Sequence, residues 1–133
     1  MSAGTRCHTL VWLLAMSISL MASTVGHAQT SPAPLQGDPT RGKTLYQNCT
    51  ACHSIDDEDI GPRHRGVVGR TAGTVPGYAY SPALKASGIV WDKTTLDRWL
   101  TNPTAMVPGT KMFFLIDNPQ NRADIIAYLS ELR

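Results

Sequence analysis

Apolar and polar positions alternate in three different ways along the 133 residues. Leu10 to Ala22 is an almost unbroken apolar run, "LVWLLAMSISLMA". Near the other end the pattern is periodic. Leu96, Trp99 and Leu100 share one face, and Ile125, Tyr128, Leu129 and Leu132 form a second stripe, both at helical spacing. Ser54 to Gly77 has no sustained period and is rich in Gly, Pro and charge, which predicts ordered loop. No run alternates over strand length, so the domain is expected to be all-α.

Start and stop residues set the helix limits. Asp38 followed by Pro39 reads as an N-cap with proline in the first turn, opening a helix that runs towards Cys49. Ser81-Pro82 starts a short helix that Gly88 ends. Asp92 caps a third, stopped by Asn102-Pro103, and Asn118-Pro119 opens the last. Thr104 to Phe114 is expected to be loop. Loops this long need something to wrap, and a large apolar cofactor would supply it.

The apolar run belongs to a different context. Arg6 and His8 precede it, and "VGHA" follows, with small residues at Gly26 and Ala28. This is the plan of a secretory signal peptide over residues 1–28, and the run is short for a membrane span. An uncleaved membrane tether is the lesser alternative. Residues 29–36 then form a flexible Pro-rich leader, and 37–133 the folded domain. Removing the signal takes Cys7 with it, leaving Cys49 and Cys52 of three cysteines. From Gln29 onward eleven Lys and Arg face ten Asp and Glu. That near-neutral balance, without a basic run interleaved with aromatics, excludes nucleic acid as a partner.

Both remaining cysteines lie in "CTACH", Cys49 to His53. A C-x-x-C pair can hold a disulfide, a zinc ion or a haem. Structural zinc needs four ligands, and no second Cys pair or His pair is present. A thioredoxin-type dithiol belongs beside a βαβ pattern, which is absent. Covalent haem fits every feature: two thioethers from the cysteines and an iron ligand from the histidine. For the other iron face the candidates are His64, Met106 and Met112. A lone loop histidine is more often a surface or hydrogen-bonding residue. Met112 follows the Pro-Gly turn of "VPGTK", and Phe113 and Phe114 come next, placed to pack on a ring. A thioether ligand favours ferrous iron and blocks exogenous ligands.

With these residues in place the chain resembles the class I cytochrome c family, its small monohaem bacterial and mitochondrial-type members. "GDPTRGKTLYQNCTACHS", "GP" at Gly61-Pro62, "GR" at Gly69-Arg70, "GYAYSPAL", "GIVW", "VPGTKM" and "IIAYL" occur in family order. The resemblance implies the cytochrome c fold, small helices and long loops around one covalently bound haem c. It implies His53 and Met112 as iron ligands and Pro62 as backbone acceptor for the His53 ring. It implies Arg70, Tyr80 and Trp91 at the haem propionates, and Gly42 and Tyr128 at a close crossing of the first and last helices.

Some positions depart from the family. Arg63-His64-Arg65 replaces a neutral and then an apolar residue, Leu84 stands in place of an asparagine, and Met106 in place of a tyrosine. "DDED", Asp56 to Asp59, reads as a solvated loop, with a docking patch for a basic partner as the sharper alternative.

The resulting expectation is a monomeric one-electron carrier in the periplasm, not an enzyme. Its transient partners would be membrane respiratory complexes or a periplasmic oxidoreductase. A haem subunit dedicated to one periplasmic dehydrogenase is the alternative within the class. A ligand-binding or peroxidase-like haem protein is the more distant one, and "PGTKM" argues against it.

Overall fold

The computed structural model describes residues 35–133 together with Met1. The signal segment and most of the leader lie outside the described residues. Five α-helices follow one another: α1 Pro39–Leu45, α2 Pro82–Lys85, α3 Lys93–Thr101, α4 Pro103–Met106 and α5 Pro119–Glu131. A 3₁₀ turn, Tyr46–Asn48, extends α1 towards Cys49. Among the described residues there is no strand, only an isolated antiparallel bridge between Thr71 and Val90.

The helices start where side chains can satisfy the free N–H groups of a first turn. The Asp38 carboxylate accepts from the amides of Thr40 and Arg41, and Asn118 does the same for Gln120 and Asn121. At α3, Asp92 and Thr95 each accept from the other's amide, a reciprocal capping box. Asn102 explains a helix that the sequence reading missed. Asn-Pro was expected only to stop α3, but the Asn102 side chain accepts from the Ala105 amide and Pro103 occupies the first turn of α4. The same two residues end one helix and begin the next, because a cap and a proline serve the start of a helix as well as its end.

α1 and α5 cross at contact distance, and Gly42 permits it. A Cβ there would overlap the Asp124 carbonyl and press on the Tyr128 Cβ. Asp124, fully buried at the crossing, accepts from the Asp38 amide at 2.9 Å, from Gln120 at 2.9 Å and from the Arg41 guanidinium. Arg122, also buried, ties α5 to α3 through Asp97 at 2.7 Å and to the carbonyls of Ile116 and Asp117. Leu96, Trp99 and Leu100 of α3 pack with Ile125, Ile126 and Leu129 of α5 and with Tyr46, Val67, Trp91 and Val107. Full burial of each aliphatic side chain stabilises by about 1.5–3 kcal/mol. Loop residues Val67, Trp91 and Val107 thus share one core with the helices.

Candidate cofactor site

The C-x-x-C-H segment continues directly from α1 as tight turns. The amides of Cys52 and His53 both donate to the Cys49 carbonyl, at 3.1 and 2.9 Å. Cys49 is partly buried and Cys52 exposed, and neither is in a disulfide. Burial, then the nearby Cys52, pushes the Cys49 thiol up to about 11.

The segment from Gly61 returns alongside this turn. The Gly61 amide donates to the Cys52 carbonyl at 2.6 Å, His64 to Ser54 at 3.0 Å and Arg65 to Ile55 at 2.7 Å. Gly61 lies flat against the His53 imidazole, where any Cβ would collide with the ring. Next to it, the Pro62 carbonyl accepts from His53 Nδ1 at 2.8 Å. Burial lowers the His53 pKa, and the Pro62 bond and Asp59 oppose that shift. A carbonyl oxygen only accepts, so the Nδ1 proton is committed to Pro62, and the lowered pKa favours the neutral ring. Among the described residues Nε2 makes no hydrogen bond, so that nitrogen keeps its lone pair.

Met112 is positioned by a tight turn and a tryptophan. Val107–Thr110 forms a turn closed by the Thr110 amide on the Val107 carbonyl at 3.1 Å, with Gly109 at φ 88°. That conformation at the third residue of the turn calls for glycine. Lys111 Nζ is tied to the Ala79 carbonyl at 2.6 Å, and Trp99 Nε1 donates to Met112 Sδ at 3.2 Å. Trp99 was legible in the sequence only as an apolar position of α3. Its indole N–H, eight residues after Trp91, was the unused signal. Met106 packs against the core, and Phe113 turns to solvent at 82% exposure, with Phe114 partly so at 46%.

The remaining candidates are brought together in part. Trp91 and Arg70 are joined through the backbone, Trp91 N–H to Arg70 C=O at 2.9 Å, and the Trp91 ring lies 5.2 Å from that of Trp99. The Arg70 guanidinium donates to the carbonyls of Arg63 and Arg65. Tyr80 lies near enough to Arg70 for each to shift the other's ionisation, and it packs edge-on against Tyr78, ring centres 4.6 Å apart. His64 stacks on His53, with centroids 4.0 Å apart and planes 20° from parallel, and its Nδ1 is 3.0 Å from the Tyr46 hydroxyl. Burial, then His53 and Arg70, pushes the His64 pKa down to about 3. It is a hydrogen-bonding residue packed on His53, not a free surface residue.

The donor set is one imidazole nitrogen and one thioether sulfur, beside two free thiols. Among the described residues no group of three or more His, Cys, Asp or Glu could hold a metal ion by itself. Nitrogen and sulfur in these numbers suit a haem iron, whose porphyrin supplies the other four donors.

Residues 39–133 match the Cytochrome c family model. The chain belongs to the cytochrome c family. It is 48% identical over 98 residues to cytochrome c2 of Rhodomicrobium vannielii, spanning 71% of this chain and 78% of that protein. It is 48% identical over 101 residues to cytochrome c of Euglena viridis, spanning 73% and 99%. Cytochrome cH from Methylobacterium extorquens superposes with a TM-score of 0.69 at 46% identity, covering 71% of this chain and 99% of that one. The fold is the all-α cytochrome c fold, and the protein carries one covalently attached haem c. It is an electron-transfer protein, not an enzyme. Among the described residues no helix is long and apolar enough to cross a membrane.

Proposed function

We propose that this cytochrome c is an exported shuttle that passes single electrons between periplasmic or membrane-bound partners. Cys49 and Cys52 would hold the haem through thioethers, with His53 and Met112 as axial ligands and Arg70, Tyr80 and Trp91 towards the propionates. The single observation that carries the reading is the His53 ring, whose Nδ1 proton is engaged by Pro62 and whose Nε2 has no partner among the described residues. The bound haem iron supplies the ferric–ferrous couple. The chain's own residues keep both ligands in place through that couple: Pro62 fixes the imidazole, and Trp99 and the Pro108-Gly109 turn hold the sulfur. The intact Pro108-Gly109 turn before Met112, which would fill the sixth position, favours a carrier over a peroxidase-like protein.

The periplasm as location rests on the signal-peptide reading of residues 1–28 and on the likeness to a bacterial cytochrome c2. Partners are expected among membrane respiratory complexes or periplasmic oxidoreductases, met transiently by a monomer. Recovery in a fixed-ratio complex with one dehydrogenase would instead mark a dedicated subunit.

The ligand assignment is tested by the ferric optical spectrum. The weak long-wavelength sulfur-to-iron band should vanish in Met112→Ala and persist in Met106→Ala and His64→Ala. Persistence in Met112→Ala would remove the assignment.

A further inference from the structure

Four aromatic rings from three parts of the chain connect the helix crossing to His53. Tyr128 of α5 packs edge-on against Tyr46, with ring centres 5.4 Å apart and planes at 60°. Tyr46 in turn meets His64 edge-on at 5.7 Å and 63°, its hydroxyl 3.0 Å from His64 Nδ1. His64 lies face to face with His53 at 4.0 Å. None of these contacts depends on a mobile surface side chain. Tyr46 is 2% exposed, and the His64 backbone is fixed by its amide bond to Ser54 and by that of Arg65 to Ile55.

The Pro62 bond holds one point of the His53 ring, the Nδ1 proton. A single hydrogen bond restrains the tilt of a ring less than it restrains the position of the bonded atom, because the angular dependence of such bonds is broad. A second flat ring lying 20° from parallel restrains the plane itself: rotation of His53 would drive its edge into the His64 face, in an interior with little free space. His64 can act as such a wall only if its own rotation is stopped. The Tyr46 hydroxyl stops it, being the one hydrogen bond to the His64 ring among the described residues.

We propose that His64, locked by Tyr46, is a positioning residue that sets the plane of the His53 imidazole and thereby the electronic asymmetry of the bound iron. The proposal rests on the reading of His53 as an axial ligand. It gives a reason for the hydrogen bond between the buried Tyr46 hydroxyl and His64. It also makes the α1–α5 crossing part of the redox site, since Tyr128 and Gly42 place Tyr46.

The test is the proton NMR spectrum of the ferric holo-protein, read beside the midpoint potential. The order and spread of the hyperfine-shifted haem methyl signals report the plane of the axial imidazole. His64→Leu, which keeps bulk but removes the flat face, is expected to reorder the methyl signals and shift the potential. Tyr46→Phe keeps the core ring and removes only the hydroxyl, and it should broaden or reorder the same signals. His64→Phe restores a stacking face and should return the native order. A native methyl pattern in His64→Leu overturns the proposal; if that variant does not fold, a native pattern in Tyr46→Phe does so. The underlying ligand reading fails separately, and visibly, if the His53 ring protons of the unmodified protein show no hyperfine shift.

Discussion

Trp99 donates its indole N–H to the sulfur of Met112 at 3.2 Å, from a helix to the loop eleven residues beyond its end. An indole nitrogen can only donate, so the bond holds the thioether without competing for a metal. Trp99→Phe keeps most of the buried ring and removes that donor. A net hydrogen bond contributes about 1 kcal/mol, or about a fivefold change in an equilibrium. The variant should bind added imidazole or cyanide about fivefold more tightly in the ferric state, measured by optical titration. Unchanged affinity would mean that the bond does not hold the sulfur.

Gly42 sets two effects against each other. Alanine in a helix interior is favoured over glycine by about 1 kcal/mol. Here its methyl would overlap the Asp124 carbonyl, and overpacking costs about 1–3 kcal/mol. Gly42→Ala should therefore be destabilising on balance, seen as a lower denaturation midpoint with an unchanged slope.

Asp124 makes stability depend on acid. Its burial opposes ionisation, but the Asp38 amide, Gln120 and Arg41 outweigh that and hold its pKa below the usual value. A carboxylate depressed in the folded state contributes stability that is present above its unfolded pKa of about 4 and is lost as pH falls through the folded value. Asp124→Asn should lower the unfolding midpoint at pH 7 and flatten the acid limb below about pH 4. An acid limb as steep as that of the unmodified protein would assign it to other carboxylates.

The acidic run is half neutralised by its own domain. Arg65 pairs with Asp56 and Arg63 with Glu58, from the segment that returns past the motif. Exposed pairs of this kind contribute little to stability and are screened by salt. Replacing Asp56, Asp57, Glu58 and Asp59 by Ser should leave the ionic-strength dependence of electron transfer nearly unchanged. A markedly shallower dependence would establish docking through this loop.

Without haem the fold should fail. A domain of about 100 residues buries a small core, and burying the porphyrin would supply much of the stabilising apolar contact. The far-ultraviolet circular dichroism of the apo-protein should show little helix. A native-like spectrum would show that the helical frame is sufficient alone.

The helices, their caps and the cofactor motif were legible in the sequence because each is a local signal. Asp38-Pro39, Asp92 and Asn118-Pro119 act on the turn that immediately follows them, and Cys49 to His53 carry their chemistry within five residues. Asn102 was ambiguous for the same reason: a local signal for a stop is also one for a start. The relationships that define the site are not local. Trp99 to Met112 spans 13 positions and Tyr46 to His64 spans 18. Each depends on which face of a ring the packed core turns towards its neighbour. The sequence by itself determined the haem-attachment motif and where four of the five α-helices begin. Only the tertiary structure decided that Trp99 holds the sulfur and that His64 stacks on His53, because orientation is set by packing across the chain.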